Sequence, residues 1–213
     1  VLVEPIQGEG GVRTLDTHYL EQLRKICDEQ NWLLMLDEVQ SGIGRTGKWF
    51  AHQHTGIVPD VMTLAKGLGS GIPVGACLAA GKAAEIFQPG NHGSTFGGNP
   101  LASAAGLATL SILELDNLLS HAESLGAFIK AGIADALQDM SGVREIRGQG
   151  LMIGIELDKP CGELVKLALD NGLLINVTVD NVIRLLPPLV MTQDEATQLL
   201  DILCPLIKEF IQP

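Results

Sequence analysis

The sequence is poor in aromatic residues, in positive charge and in long hydrophobic runs. Aromatic residues make up 4% of its 213 residues, and 14 lysines and arginines stand against 25 aspartates and glutamates, for a formal net charge of −11. An acidic chain without a local basic patch is not expected to bind nucleic acid or an anionic membrane surface. No apolar run reaches the roughly 18 residues that a membrane-spanning helix needs, and the first residues carry no signal-peptide pattern. We therefore expect neither a nucleic-acid partner nor a membrane partner.

Cysteine is scarce and scattered. The four cysteines form no CxxC pair, so they offer neither a zinc knuckle nor a compact disulfide framework. This favours a reducing compartment, and we expect the cytoplasm. Glycine, in contrast, is abundant, with 25 residues in a chain that is 46% hydrophobic. Such a composition is typical of α/β proteins and excludes extended disorder.

Short apolar runs alternate with helical patterns over the first 115 residues. The runs are the candidate strands 1–3, 33–36, 61–64 and 74–80. This alternation predicts an α/β fold with a mostly parallel sheet and crossover helices. Asp16 or Thr17 is the expected cap of the first helix, and Pro100 occupies the first turn of a long one.

The pattern changes after residue 116. The remaining chain predicts strands paired around a glycine-rich turn at 148–150 and a last helix that begins at a capping box formed by Thr192 and Glu195. We therefore divide the chain into residues 1–116, part of a large α/β domain, and 117–213, a small α+β domain. The chain begins without methionine, on what reads as the end of a buried strand, so we expect an N-terminal part to be missing.

Two reactive side chains follow predicted strands directly. Asp37 comes after the run 33–36, and Lys66 comes shortly after the run 61–64. Ligands bind at the carboxyl ends of strands in open α/β sheets. A lysine in a glycine-lined, partly apolar pocket can lose its proton and act as a Schiff-base nucleophile. The alternatives are an aspartate that caps the next turn and a surface lysine in a flexible loop.

A glycine-rich turn and a strand arginine complete the candidate site. Ser94 and Thr95 precede a helix, where hydroxyls and backbone N–H groups suit a phosphate; ordinary helix capping is the alternative. Arg184 interrupts an apolar strand and needs an anionic partner, either a substrate carboxylate or a structural acid. A nucleophilic lysine, an acid for a pyridinium nitrogen, hydroxyls for a phosphate and an arginine for a carboxylate together indicate pyridoxal phosphate (PLP) chemistry.

Six segments resemble, in order, the motifs of class III aminotransferases, in particular the ornithine and acetylornithine family. They are Glu-Pro-Ile-Gln-Gly-Glu-Gly-Gly at 4–11, Leu-Asp-Glu-Val-Gln-Ser-Gly-Ile-Gly-Arg-Thr-Gly at 36–47, Pro-Asp at 59–60, Leu-Ala-Lys-Gly at 64–67, Gly-Ser-Thr-Phe-Gly-Gly-Asn-Pro at 93–100 and Arg-Leu-Leu-Pro-Pro-Leu at 184–189. The resemblance implies fold type I of the PLP-dependent transferases. Residues 1–116 would be the C-terminal part of the PLP-binding large domain and 117–213 the small C-terminal domain.

The resemblance also implies roles for the residues around the cofactor. Lys66 matches the catalytic lysine that binds PLP covalently and then shuttles the proton between substrate and cofactor. Asp37 matches the acid that is paired with the pyridine nitrogen. Val39 would pack on the face of the ring, and Gln40 would form a hydrogen bond with its phenolic oxygen.

Other matched residues concern the phosphate and the substrate. Thr95, with Ser94, matches the group that reaches the cofactor phosphate from the neighbouring subunit, because the family forms homodimers with active sites at the subunit interface. Arg184 matches the arginine that grips the α-carboxylate of glutamate or 2-oxoglutarate. Glu9 matches the acid that neutralises this arginine when the substrate presents its terminal amine.

The implied reaction is the transamination of N2-acetyl-L-ornithine with 2-oxoglutarate to N-acetyl-L-glutamate 5-semialdehyde and L-glutamate, a step of arginine biosynthesis. The alternatives are another class III ω-aminotransferase, acting on ornithine, succinylornithine or 4-aminobutyrate, or a non-catalytic truncated fragment. The family is close to twice this length, so we expect the 213 residues alone to be inactive. His52 and His54 lack a third ligand and are interpreted as surface residues, so no metal is expected.

Overall fold

The computed structural model describes residues 1–212, which form two compact units. The first unit comprises Val1–Ile6 and Leu15–Leu119, and the second comprises Gln7–Thr14 and the chain from Ser120 onward. The segment Gln7–Thr14 therefore belongs to a different unit from the residues on either side of it. The domain boundary between residues 116 and 117 stays a prediction.

Strands and helices are mixed along the chain. In chain order they are β1 (Leu2–Val3), β2 (Ile6–Gln7), β3 (Arg13–Thr14), α1 (Thr17–Glu29), β4 (Met35–Asp37), β5 (Val61–Leu64), β6 (Ala76–Ala79), α2 (Pro100–Leu115), α3 (Leu118–Leu137), β7 (Val143–Gln149), β8 (Met152–Leu157), α4 (Glu163–Asp170), β9 (Asn176–Thr178), β10 (Val182–Leu185) and α5 (Gln193–Ile211). Short 3-10 helices span Ala51–His54, Lys66–Gly69 and Gly81–Glu85. None of the helices in the described part of the chain is long and apolar enough to span a membrane.

The first unit is built on a four-stranded sheet in the order β1-β4-β5-β6. Strands β1, β4 and β5 are parallel, and β6 is antiparallel to β5, so the predicted mostly parallel sheet is confirmed. Helix α1 begins where the sequence predicts, because the Asp16 carboxylate accepts the backbone N–H of His18 at 2.9 Å. Its residues Leu20 and Cys27 pack on Leu36 of β4, and this packing leaves the next residue of β4 on the opposite face of the sheet.

The second unit contains an antiparallel sheet in the order β7-β8-β10-β9. One face of this sheet is apolar and packs with helices α3, α4 and α5 around fully buried side chains such as Ile133, Ile155 and Ile183. Helix α3 passes very close to the turn after β7: a Cβ at Gly126 would lie 2.0 Å from the carbonyl oxygen of Gly150. Only a residue without a side chain fits that approach.

Several predicted element ends are confirmed by local hydrogen bonds. Asn99 caps α2 by accepting the N–H of Ala102 at 3.0 Å, and Pro100 is its first residue. The capping box of α5 is present, with the N–H of Thr192 donated to Glu195 at 2.7 Å. The predicted run 74–80 forms a strand only over Ala76–Ala79.

Candidate active site

Asp37 and Lys66 lie at the same edge of the parallel sheet. Asp37 is the last residue of β4 and pairs in register with Thr63 of the neighbouring strand β5. Lys66 follows Thr63 after two intervening residues, so both side chains belong to the carboxyl ends of adjacent parallel strands. This juxtaposition is the one that the sequence predicts, and it is where open α/β sheets bind ligands.

The backbone of Lys66 adopts an unusual conformation. Its φ angle is +42°, in the left-handed region that residues with side chains avoid, and the residue opens the 3-10 helix Lys66–Gly69 with its side chain exposed. Backbone strain of this kind concentrates at functional sites. It therefore favours the nucleophile over the alternative of a lysine in a flexible loop.

The Asp37 carboxylate also organises the turn that follows it. Its Oδ1 accepts the backbone N–H of Val39 at 2.9 Å, so the capping role considered as an alternative is present. Val39 and Gln40, the other predicted cofactor residues of this segment, are half-buried in the same turn. One carboxylate oxygen thus fixes the turn, and this hydrogen bond restrains the side chain of Asp37 at the end of β4.

Glu38, the residue after Asp37, is fully buried and forms the centre of a hydrogen-bond cluster. Its two oxygens accept the Ser41 hydroxyl at 2.7 Å, the N–H groups of Ala51 and His52 at 2.9 Å each, and Nδ1–H of His52 at 3.0 Å. Burial acts to raise the pKa of Glu38, but the hydrogen bonds from His52, Ser41 and Ala51 outweigh it and the net pKa is lowered. The interpretation of His52 as a surface residue is wrong: its side chain is 12% exposed and paired with Glu38.

Asp60 braces the start of the strand that leads to Lys66. Its Oδ2 accepts the backbone N–H of Leu34 at 2.7 Å and Nη1–H of Arg24 at 2.8 Å. Partial burial acts to raise the pKa of Asp60, but these hydrogen bonds dominate and the net pKa is lowered. The ionised carboxylate therefore connects helix α1 with the residues that immediately precede β4 and β5, at the other end of these strands from Asp37 and Lys66.

Ser94 and Thr95 lie in an exposed turn in front of helix α2. The Ser94 hydroxyl oxygen accepts the N–H of Gly97 at 3.0 Å, and the capping of the helix itself falls to Asn99. A cavity of about 770 Å³ opens beside this turn, and Ser94, His92 and Cys77 are among the residues that line it. A hydroxyl-bearing turn at a helix N-terminus, open to a cavity, suits an anionic group.

Arg184 and Glu9, the predicted substrate residues, are paired in the second unit. Nη1 of Arg184 donates to Oε1 of Glu9 at 2.7 Å, and Nη2 donates to Oδ1 of Asn176 at 3.1 Å. The side chain of Arg184 is 10% exposed, whereas that of Glu9 is 72% exposed. The alternative of an acid as the partner of Arg184 is therefore realised, by a carboxylate on a largely exposed side chain.

Arg184 belongs to a row of residues that face each other across the second sheet. Arg147 of β7 pairs with Gly154 of β8, Gly154 pairs with Arg184 of β10, and Arg184 pairs with Asn176 of β9. Directly paired residues project to the same face, so this row lies opposite the apolar core. Val12 lies directly over Gly154, because a Cβ added to Gly154 would be only 3.0 Å from Cβ of Val12. The segment that carries Glu9 thus covers the row.

Arg147, Thr178 and Asn176 are functional candidates that the sequence does not predict. Arg147 is one of several charged residues in a strand with no clear alternation of apolar and polar positions. Its contacts include the carbonyls of Gly11 and Val12, more than a hundred residues earlier in the chain. The one sequence signal for a role of Arg147 is its position beside a Gly-rich turn, two residues from Glu145. Among the described residues, no group of three or more histidine, cysteine, aspartate or glutamate side chains is placed to hold a metal ion.

The comparisons with known proteins define the class of this chain. The family model for class III aminotransferases matches residues 1–207, and the chain belongs to that family. Acetylornithine aminotransferase 1 of Bordetella pertussis is 59% identical over 211 residues, which cover 99% of this chain and 54% of that protein. The acetylornithine aminotransferase of Nitrosomonas europaea is 57% identical over 212 residues and is likewise matched over 54% of its length.

Solved structures agree with this assignment. The acetylornithine aminotransferase of Elizabethkingia anophelis superposes with a TM-score of 0.91 at 39% identity, covering 98% of this chain and 54% of that one. The ornithine aminotransferase of Plasmodium yoelii gives a TM-score of 0.92 at 38% identity, over 98% of this chain and 56% of that one. The predicted fold class and the PLP dependence of the family are confirmed. The chain spans about half the length of the curated relatives that it matches.

Proposed function

We propose that this chain is part of an enzyme that transfers the ω-amino group of N2-acetyl-L-ornithine to 2-oxoglutarate, giving N-acetyl-L-glutamate 5-semialdehyde and L-glutamate. The pair of Arg184 and Glu9 carries the proposal. A nearly buried guanidinium can bind a substrate carboxylate through two hydrogen bonds, and the exposed carboxylate beside it can rotate away. An enzyme that alternates between an ω-amine and a dicarboxylate needs such a removable partner, because Arg184 would otherwise be an unpaired charge in one half-reaction.

The residues of the first unit fit PLP. A carboxylate at a strand end suits a pyridinium nitrogen, and the amine of Lys66 follows the adjacent strand end, where it suits the cofactor carbonyl carbon. The hydroxyls of Ser94 and Thr95, in front of helix α2, suit the phosphate of the cofactor that the neighbouring subunit would hold. When bound, PLP supplies an electron sink at the substrate carbon and carries the amino group between the two substrates.

Each residue then has a defined task. Nζ of Lys66 would hold the cofactor covalently and, once released, would accept and return the proton of the substrate carbon. The carboxylate of Asp37 would keep the pyridine nitrogen protonated. Val39 would pack on the ring, and the amide of Gln40 would donate to the phenolic oxygen. Arg184 would bind the α-carboxylate of glutamate or 2-oxoglutarate. When the substrate has no second carboxylate, the carboxylate of Glu9 would pair with Arg184 instead.

We also propose that the enzyme is a cytoplasmic homodimer. The four cysteines are all free thiols, which supports a reducing compartment. The turn that carries Ser94 and Thr95 is flanked by strongly exposed apolar side chains, Phe96 at 81% and Leu101 at 68%, of the kind that a second subunit covers. Sedimentation equilibrium of the protein at its natural length should give twice the mass of one chain, and a monomer at micromolar concentration would contradict the dimer.

Lysine trapping tests the cofactor assignment. Reduction of the holoenzyme with borohydride should fix the cofactor on the peptide that contains Lys66. The variant Lys66→Ala should carry no covalent cofactor and lose transamination, whereas Lys48→Ala, which removes an exposed lysine of the same unit, should keep both. A yellow, lysine-linked species that persists in Lys66→Ala would contradict the assignment.

Substrate kinetics test the reaction. The specificity constant kcat/KM should be highest for N2-acetyl-L-ornithine among the candidate donors, and the 57% and 59% identity to acetylornithine aminotransferases favours this donor. A higher value for ornithine, succinylornithine or 4-aminobutyrate would assign another substrate of the class. The variant Glu9→Ala should lower kcat/KM for the ω-amine relative to glutamate, and an equal loss for both substrates would contradict the exchange of partners at Arg184.

A further inference from the structure

The loop that carries Glu9 is held in an unfavourable backbone conformation. Val12 is fully buried with a φ angle of +53°, which is rare for a β-branched residue, and it follows Gly11 at +98°. Within the loop itself, the N–H groups of Gly11 and Val12 reach the carbonyl of Gly8 only at 3.4 Å each. Such long hydrogen bonds are weak, so the conformation has to be maintained from outside the loop.

Arg147 provides one of these outside contacts. Its Nη2 and Nε donate to the carbonyl of Gly11 at 2.6 and 2.9 Å, and Nε also donates to Val12 at 3.2 Å. Nη1 is held from the other side by Glu145 and Glu156, at 2.7 Å each. The side chain of Arg147 is only 9% exposed, and its hydrogen bond is the main cause of the lowered pKa of Glu156. The two carboxylates therefore hold the guanidinium on the side away from the loop.

Thr178 provides the second contact, at Glu9 itself. Thr178 is 7% exposed at the end of β9, and its hydroxyl donates to the backbone carbonyl of Glu9. This hydrogen bond constrains the main chain of Glu9 and does not involve its side chain, which is 72% exposed. An exchange of partners at Arg184 would then need rotation of the Glu9 side chain only, with its main chain held in place.

We propose that Arg147 and Thr178 are positioning residues for Glu9, which fix the loop so that its carboxylate returns to Arg184 whenever the substrate has no second carboxylate. This inference rests on the proposed exchange of partners at Arg184. Without the two anchors Glu9 would compete less well for Arg184. Dicarboxylates would then bind more tightly, and the ω-amine half-reaction would lose efficiency relative to the glutamate half-reaction.

Two variants of the holoenzyme at its natural length test the proposal. Thr178→Val removes one hydrogen bond with little change of shape, and Arg147→Gln removes the donors to Gly11. The matched control is Arg144→Gln, which removes the same charge from the same strand. Its side chain is 57% exposed, donates to the carbonyl of Asp158 at 3.4 Å and lies 3.9 Å from Glu156, so the control also tests the loss of a charge near Glu156 without loss of the contacts to the loop. The readouts are the ratio of kcat/KM for the ω-amine to that for glutamate, the Kd of glutarate by calorimetry, and hydrogen exchange of residues 8–12.

In Thr178→Val we expect the specificity ratio and the Kd of glutarate each to fall about fivefold, which is the effect of one lost hydrogen bond. In Arg147→Gln we expect both to fall about tenfold. Hydrogen exchange of the loop should be faster in each variant. Arg144→Gln should stay within about twofold of the unchanged enzyme. Faster loop exchange without a change in the specificity ratio or in the Kd of glutarate would overturn the proposal. If Arg147→Gln does not fold, the result for Thr178→Val decides whether the proposal holds. If Glu9→Ala itself leaves the ratio unchanged, the partner exchange is wrong; if only the anchor variants leave it unchanged, the positioning roles alone are wrong.

Discussion

Replacing the buried carboxylate of Glu38 by an amide should destabilise the protein far more than its small change in shape suggests. Its two oxygens accept four hydrogen bonds, two of them from the backbone N–H groups of Ala51 and His52. In Glu38→Gln one oxygen becomes an NH₂ group. The Ser41 hydroxyl and the His52 ring can change from donor to acceptor, but a backbone N–H cannot.

Whichever way the new amide turns, one buried backbone N–H therefore faces another donor. An unsatisfied buried donor, together with the loss of charge-assisted hydrogen bonds, gives an expected loss of about 2–4 kcal/mol in the free energy of unfolding. Urea unfolding measures it, and hydrogen exchange of residues 48–56 shows that the change is local. The control Glu114→Gln alters an exposed glutamate of the same unit and should change the free energy by less than about 0.5 kcal/mol. A Glu38→Gln variant as stable as this control would refute the reasoning.

Two other predictions concern pH and packing. Because Glu38 and Asp60 have lowered pKa values in the folded protein, their stabilising contributions should be complete above the unfolded values of 4.5 and 3.8 and should be lost as the pH falls through the lower folded values. Unfolding midpoints measured from pH 7 down to pH 3 check this, and stability that rises over the acidic part of the range would contradict it. Gly126→Ala would place a Cβ 2.0 Å from the Gly150 carbonyl and should cost more than about 3 kcal/mol, whereas Gly162→Ala, with no atom within 4 Å, should be close to neutral. Equal thermal midpoints for the two glycine variants would show that helix α3 is not in this close contact.

The sequence predicts the parts of the fold that depend on neighbours in the chain. The cap at Asp16, the helix start at Pro100 and the capping box at Thr192 are satisfied within a few residues, and all three are confirmed. The placement of Asp37 and Lys66 was also accessible, because it follows from strand order alone.

The sequence does not predict contacts whose partners are distant. The hydrogen bond from Thr178 to Glu9 spans 169 residues, and no local pattern marks either end of it. Even at a separation of 14 residues, the pairing of His52 with Glu38 was missed, because a histidine in a polar loop carries no sign of the buried acid beneath it. Burial and partner, rather than residue type, decide such roles.

The assignment of Gln7–Thr14 to the second unit has a consequence for biosynthesis. The ribosome releases this segment long before β7, and the contact between Gly11 and Arg147 spans 136 residues. At about 5–20 residues per second, the segment waits roughly 7–27 s for the strand that receives it. During that interval its apolar residues and unpaired backbone groups remain available to chaperones or to other nascent chains. Because the segment precedes most of the first unit, no single cut in the gene separates the two units, and shuffling at one crossover point would leave each hybrid with a mismatched Glu9 loop.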